Sequence, residues 1–435
     1  MKQTQYIIYK DKINKSNKYI YKDLFSDSTS DSLSIKKDLY EYDFNSGFRI
    51  KFYDDREYRL LIVDKHDRRI YSDVNFKPYT NVIYSFCKKY YIDYEIIIFD
   101  LKYSKTIPID VIRFDTSNQD IMIMLSTEHS PPGLGDSIAW MNAVLMFKER
   151  HKQANVYIVT EYPDMDELLH EFGYDNIVTI ISLDDIKNYS FYATYIMGCF
   201  FDDKELYCCS SDYKSNGLIE YACKILGMEY DGVRRLVFEY DNSMYKSTKP
   251  YVCFGTHASG IYKEWLCDSG WNHLSYILKQ YGYDIYVIDR KVDNIVENNI
   301  IRTRIPENNV IDMTGEEHTL LDRVKMLSGC DFFVGCSSGL SWLAWCCGVP
   351  VVMVSGFTNP LTEFYTPYRV INYEKCNSCW NDPRIKWNMN ETFCPRCKNI
   401  MGESFLECST SISAYMVFDK IKEIPIVKER LSDKI

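Results

Sequence analysis

Two hydrophobic rhythms divide the chain. Up to residue 118, apolar residues alternate in short runs, YIIYK, FRIKFY, YRLLIV and YEIIIF, separated by polar clusters such as SDSTSDSLS. That period of two predicts half-buried strands and turns, hence a small, mostly antiparallel β domain over residues 1–118. From residue 119 the rhythm changes. Continuous apolar stretches (QDIMIML, ANVYIVT, VTIIS, YATYIMG) alternate with stretches of helical spacing (DSIAWMNAVLMFKER, DMDELLHEFG, NGLIEYACKILG). A parallel sheet covered on both faces and joined by right-handed crossovers requires this pattern, so a first Rossmann-like domain is predicted over 119–245. The polar DNSMYKSTKP, ending in proline, marks a linker. The alternation resumes with YVCFGTHAS, WNHLSYILKQYG, DIYVID and HTLLDRVKMLSG, and ends in the βαβ run DFFVGCSSGLSWLAWCCGVPVVMVSG. This predicts a second Rossmann-like domain over 246–374. Residues 375–402 form a cysteine finger, and the 403–435 tail is predicted to begin as a helix packing back on the fold.

Length and charge narrow the classes. A chain of 435 residues holds two or three domains with full-sized cores. A net charge of −10 argues against a nucleic-acid surface as the main business. No apolar run has the length of a membrane span, and the start MKQTQYIIYKDK lacks a signal h-region, so a cytoplasmic protein is expected. Most of the 16 cysteines, among them Cys199, Cys253, Cys330, Cys346 and Cys347, fall in apolar strands and helices as small hydrophobes. The 37 tyrosines accompany much Lys, Asn, Asp and Ile and read as compositional bias rather than as sugar-stacking platforms.

Chemistry-bearing residues gather where predicted strands run into helices. Ser130-Pro131-Pro132-Gly133-Leu134-Gly135-Asp136 joins the first strand and helix of the 119–245 domain. The prolines end the strand, and the glycines let the backbone turn sharply and approach a bound molecule. Asp136 stands at the helix start. It can be an N-cap, or a carboxylate facing an interdomain cleft. After the first strand of the second domain comes Gly255-Thr256-His257-Ala258-Ser259-Gly260-Ile261-Tyr262-Lys263-Glu264-Trp265. A fixed lysine there can offset phosphate charge in a dry cleft, with Thr256 and Ser259 as hydrogen-bond donors. Equally, Lys263 and Glu264 can be surface charges flanking a buried Trp265. His257 reads as structural. Ser337-Ser338-Gly339 opens a helix and presents backbone N–H groups and a positive dipole end to an anion, or Ser338 simply caps that helix. Thr358 and Asn359, after the next strand, could contact sugar or phosphate, although a polar turn needs no such explanation.

Cys376-x2-Cys379 and Cys394-x2-Cys397 have the spacing of a four-thiolate metal site. Tetrahedral sulfur suits zinc or a rubredoxin-like iron, and spacing does not choose between them. Four protein ligands leave the metal no open position, so its role is structural. Cys408 has no partner at ligand spacing.

The run SSGLSWLAWCCGVPVVMVSGFTNP resembles the nucleotide-sugar half of the ADP-heptose heptosyltransferases, in which a turn, an apolar helix and a G-x-P-V-V strand follow in this order. The G-L-G-D at 133–136 and the lysine shortly before Trp265 match two further motifs of that group. The likeness covers roughly residues 120–405 and is greatest to the bacterial autotransporter heptosyltransferases. It implies a GT-B glycosyltransferase of two Rossmann-like domains, preceded by a β domain that helps hold the acceptor. The implied reaction is inverting, metal-independent transfer of heptose from ADP-heptose to serine hydroxyls of a protein such as an autotransporter passenger. Asp136 would be the general base, kept ionised and therefore weak by the helix dipole, and Lys263 would stabilise the leaving pyrophosphate. Gly135, Thr256, Ser259, Ser337, Ser338, Gly339, Thr358 and Asn359 would contact the nucleotide sugar. Asp312 would meet the ribose, and Met313 the adenine through its main chain. The finger would carry iron, with zinc in reserve, and the chain would form a large homo-oligomer such as a dodecamer. Two other readings stand beside this one. One is a glycosyltransferase with another nucleotide sugar or a carbohydrate or lipopolysaccharide acceptor. The other is a non-catalytic nucleotide- or protein-binding module using the finger. A binding module has no need of both a base at Asp136 and a cation at Lys263.

Overall fold

The computed structural model describes residues 6–8, 33–78, 83–125, 132–198, 209–240, 249–290, 296–297, 300–301, 305–385 and 406–432. The expected elements form where the hydrophobic pattern puts them. Asp120–Leu125 and Asn155–Thr160 are parallel strands in register over six residue pairs, and Ala193–Ile196 lies parallel on the other side of Asp120–Leu125. The predicted strand VTIIS contributes only Thr179–Ile180. Helix Leu134–Arg150 covers this sheet, with Ser137 to Leu145 and Phe147 buried.

The boundary expected at residue 118 is not a boundary in the sheet. Strand Tyr40–Asn45 pairs in parallel with Ala193–Ile196, Phe44 opposite Ala193, and so continues the first Rossmann-like sheet into the N-terminal hairpins. The reason is local chemistry. YEYDFN is buried on both faces, and its acids lie opposite cations of the next strand, Glu41 against Lys51 and Asp43 against Arg49. Arg49 grips Asp43 with two hydrogen bonds of 2.7 and 2.6 Å. The remaining N-terminal strands, Ile70–Phe76, Tyr58–Asp64, Tyr94–Asp100 and Asp110–Arg113, form a separate antiparallel sheet. It is joined to the first sheet through aromatic packing such as Phe52 stacked on Tyr58 with centroids 3.9 Å apart.

The second Rossmann-like sheet has the order Ile311–Asp312, Asp284–Val287, Tyr251–Gly255, Phe333–Cys336, Val351–Val354, Arg369–Val370, all parallel. Most of the expected linker, residues 241–248, lies outside the described residues. The segment just before it is held by both halves. Asn142, inside helix Leu134–Arg150, accepts the N–H groups of Arg235 and Leu236, while Phe238 N–H donates to Cys346 of the second half. The tail forms helices Glu407–Thr410, Ala414–Ile421 and Pro425–Ser432. Val417, Phe418, Ile421, Ile424 and Val427 join the core of the second half, with Arg430 paired to Asp331. The described tail therefore packs on the half from which it emerges. No described helix is long and apolar enough to cross a membrane.

Candidate active site

In each parallel sheet the strand order reverses beside the first strand of the half, Asp120–Leu125 in one and Tyr251–Gly255 in the other. Loops leaving such a point diverge and open a crevice at the carboxyl ends of the strands. The two crevices meet. Helix Gly339–Cys346, which follows strand Phe333–Cys336, abuts helix Leu134–Arg150 so closely that a Cβ on Gly339 would lie 2.6 Å from Leu134 Cβ. A Cβ on Gly135 would lie 2.8 Å from Trp342 Cδ1. Glycine at both positions lets two helix N-termini come together, each with backbone N–H groups and a positive dipole end. Anionic ligands suit such a place.

Asp136 is not the N-cap. Gly133 holds that position, and Asp136 stands three residues on, where its Oδ2 accepts the Gly133 N–H at 3.2 Å as half of a capping box. Ser130 and Pro131 lie outside the described residues. The carboxyl is half-buried, and desolvation raises its pKa above the ordinary value, against the opposing pull of the Lys263 charge and the Gly133 N–H. Burial therefore opposes the lowering expected of a helix dipole, and a raised pKa favours proton uptake by Asp136. The Lys263 charge, from the other half, thus acts electrostatically on the Asp136 carboxyl.

Lys263 ends a single 3-10 turn, Ile261–Lys263, closed by its own N–H on Gly260 O at 2.9 Å. The turn is anchored from below. Trp265 Nε1 donates to Ile412 O at 2.8 Å, and Leu266 N–H to Ser409 Oγ at 2.8 Å. Lys263 is half-buried, whereas Glu264 is 4% exposed and faces His257 at 3.6 Å. The reading of Lys263 and Glu264 as two surface charges does not hold, since the backbone turn sends Glu264 inward.

Several expected donor-side ligands have partners inside the protein. Thr256 donates both its N–H (2.8 Å) and its hydroxyl (3.0 Å) to Asp289, which also accepts His257 N–H at 3.1 Å. Burial pushes the Asp289 pKa up to about 6 in spite of these donors. Ser337 donates to Glu363 Oε1, as does Thr358 at 2.7 Å, and Arg369 closes the group on Glu363 Oε2 at 3.0 Å. Asp312, exposed, accepts Thr314 N–H and hydroxyl, and Met313 N–H is engaged by Val287 O. Asn359 accepts the Leu361 N–H in an Asx turn, and Ser259 is exposed. Ser338 occupies the N-cap but makes no side-chain cap, and its buried hydroxyl has no hydrogen-bond partner among the described residues. The Ser338 hydroxyl therefore remains available to a ligand, while the Ser338 N–H is engaged by Cys336 O at 2.8 Å. Sequence reading missed Asp289, Glu363 and Arg369. The one signal for Asp289 was an acid closing an apolar strand, and Glu363 looked like any loop acid.

Of the four finger cysteines, Cys394 and Cys397 lie outside the described residues. Cys376 and Cys379 flank Ser378, whose φ of 60° makes a tight knuckle, and both thiols join a small cluster with Ile261, Tyr262 and Phe357. Two thiol donors on one knuckle fit half of a tetrahedral sulfur site. Among the described residues no group of three or more His, Cys, Asp or Glu could hold a metal.

The chain is similar to known glycosyltransferases along most of its length. Residues 233–388 match the family model of glycosyltransferase family 9 (heptosyltransferase). The autotransporter heptosyltransferase Aah of Escherichia coli is 31% identical over 88% of this chain and 92% of its own length. The crystal structure of dodecameric, iron-containing heptosyltransferase TibC in complex with ADP-D-beta-D-heptose superposes with a TM-score of 0.79 at 26% identity, over 90% of this chain and 97% of that one. BimC of Burkholderia thailandensis, described as an inactive autotransporter heptosyltransferase, is 28% identical over 72% of this chain and 70% of its own.

Proposed function

The chain belongs to the autotransporter heptosyltransferases, and from that premise we propose that it transfers heptose from ADP-heptose to serine hydroxyls of a protein acceptor such as an autotransporter passenger. Because a relative of comparable likeness is described as inactive, membership alone does not carry turnover. The observation that carries it is the close approach of two helix N-termini across two strand-order reversals, with the half-buried Asp136 on one of them under the influence of the Lys263 charge. A base on one wall and a cation on the other are the two groups that the reaction needs from the protein.

Asp136 takes the proton from the acceptor hydroxyl as its oxygen attacks the anomeric carbon. The bond from that carbon to the β-phosphate oxygen breaks on the far side, so one displacement inverts the centre. ADP leaves with its new charge offset by Lys263 and by the N–H groups around Ser338 and Gly339. Asp136 and Lys263 supply the proton transfer and charge stabilisation, so the chemistry is metal-independent. Iron, with zinc in reserve, would be held by Cys376, Cys379, Cys394 and Cys397 and supplies rigidity to the finger. Asp312 and Met313 stay assigned to the nucleoside, with the Met313 carbonyl rather than its N–H as the available group. A cytoplasmic homo-oligomer, such as the dodecamer of TibC, fits a consumer of nucleotide sugar.

The test is mass spectrometry of a passenger protein after incubation with enzyme and ADP-heptose. A mass increment of one heptose per modified serine is expected, with calorimetry showing ADP preferred over UDP and GDP. Nucleotide binding without any transfer would leave only a binding module.

A further inference from the structure

The first half makes a further contact with the second, apart from the helix N-termini and from the Phe238–Cys346 bond. Lys214, in the turn Tyr213–Ser215 of the first half, donates its ammonium to the carbonyls of Asp382 (2.9 Å) and Ile385, just beyond the cysteine knuckle. Asn381 answers with its Nδ2, which donates to Lys214 O at 2.9 Å. The other end of the same amide accepts Asn359 N–H at 2.9 Å and Thr362 Oγ1 at 3.1 Å. Thr362 O in turn accepts Leu218 N–H at 2.9 Å, at the start of helix Leu218–Ile225. The approach is tight, since a Cβ on Gly217 would stand 2.3 Å from Leu361 O.

We propose that Lys214 and Asn381 form a strut that fixes Asp136 relative to the donor site. The connections run in both directions. Helix Leu218–Ile225 packs along helix Leu134–Arg150, which carries Asp136. On the other side, the loop bonded to Asn381 continues into Glu363, which accepts Ser337 and so orients the turn at Ser338. A charged donor on two carbonyls and a side-chain amide with both ends engaged define one distance between the halves. The strut thereby ties the helix that carries the base to the loop behind the donor site. Neither residue touches substrate, so both are positioning residues, and a shift of about 1 Å at the reacting atoms can cost on the order of a hundredfold in rate. The inference deepens the transferase reading and rests on it for its kinetic arm.

Lys214→Met keeps the stem and removes the donors, while Lys214→Arg restores donors to both carbonyls. The methionine variant is expected to lose about ten- to a hundredfold in kcat, with ADP affinity by calorimetry within about twofold of wild type and faster amide hydrogen exchange at Leu218. The arginine variant is expected to recover most of each. Unchanged exchange at Leu218 in Lys214→Met would overturn the strut, and so would faster exchange with kcat unchanged. A general loss of fold would show instead as lost ADP binding, which the arginine variant would not share if the strut is real. Exchange needs no turnover. A wild-type protein without transferase activity would sink the functional reading, while the strut would still stand or fall on exchange at Leu218 in the two variants.

Discussion

The two walls of the cleft use their carboxylates in opposite ways. On the acceptor side Asp136 accepts a single hydrogen bond among the described residues and is half-buried under the influence of the Lys263 charge. On the donor side Asp289 and Glu363 are buried, and each collects several donors, Thr256 and His257 for the first, Ser337, Thr358 and Arg369 for the second. An acid surrounded by fixed donors holds loops in place. An acid with one donor and a partly desolvated site is left able to take a proton. The contrast also sorts the hydroxyls, since those that looked like phosphate ligands mostly bind the scaffold acids.

The largest effect should come from the sparsely bonded acid. Asp136→Asn keeps an oxygen to accept Gly133 N–H, so stability should change by less than about 1 kcal/mol. The amide cannot accept the proton, and loss of a positioned base costs about a hundred- to ten-thousandfold in rate. A folded variant that binds ADP and fails to glycosylate a protein acceptor is the expected result. Transfer within a few-fold of wild type would make Asp136 another scaffold acid and erase the comparison.

Glu363→Ala tests the other wall. Glu363 and Arg369 are an ion pair with side chains 3% and 7% exposed. Removing one partner leaves the guanidinium buried without its charge partner, at a cost of about 3–5 kcal/mol. Urea denaturation should show that loss, together with weaker ADP binding as Ser337 and Thr358 are released. A melting midpoint near that of wild type would show that Glu363 is not the anchor.

Lys263→Met joins the two walls in one experiment. ADP affinity should fall about ten- to a hundredfold, as expected for a charge-assisted contact worth about 1.5–3 kcal/mol. The pH profile carries a separate signature. The Lys263 charge lowers the Asp136 pKa, so its removal lets that pKa rise further. The base works ionised, and the acid limb of kcat/KM should therefore move to higher pH in the variant. Weaker ADP binding with an unmoved limb would separate Lys263 from Asp136 and leave it a phosphate ligand only.

The fold was legible where one residue's neighbours along the chain decide its fate. The parallel strands and their helices follow from runs such as QDIMIML and VPVVMVSG, whose burial on both faces needs no knowledge of partners. Strand Tyr40–Asn45 went unread for the converse reason. Its Glu41 and Asp43 look like solvent-facing charges until the strand of Lys51 and Arg49 lies beside it. The site divides in the same way. Gly135 announced a close approach, though to a bound molecule rather than to the facing helix, and Asp136 announced a helix start, because backbone geometry is a local matter. Asp289 and Thr256 are thirty-three residues apart and Ser337 and Glu363 twenty-six, so nothing local marks them as partners.

The smallest effect compares two hydroxyls of one site. Thr256 Oγ1 is engaged by Asp289, whereas Ser338 Oγ is buried at the helix N-terminus with no partner among the described residues. Thr256→Val removes a bond to a buried acid, so stability should fall while ADP, which the hydroxyl does not meet, binds nearly as before. Ser338→Ala should do the reverse. A neutral hydrogen bond to a ligand is worth about 0.5–1.5 kcal/mol, hence about two- to tenfold in ADP affinity. The folded protein loses nothing in exchange, because the hydroxyl had no bond to give up. Thermal denaturation and calorimetry on both variants give four numbers, and the argument requires them to cross. If Thr256→Val weakened ADP binding more than Ser338→Ala, the Thr256 hydroxyl would have to leave Asp289 for the nucleotide, and the division between scaffold acid and working acid would fail at this site.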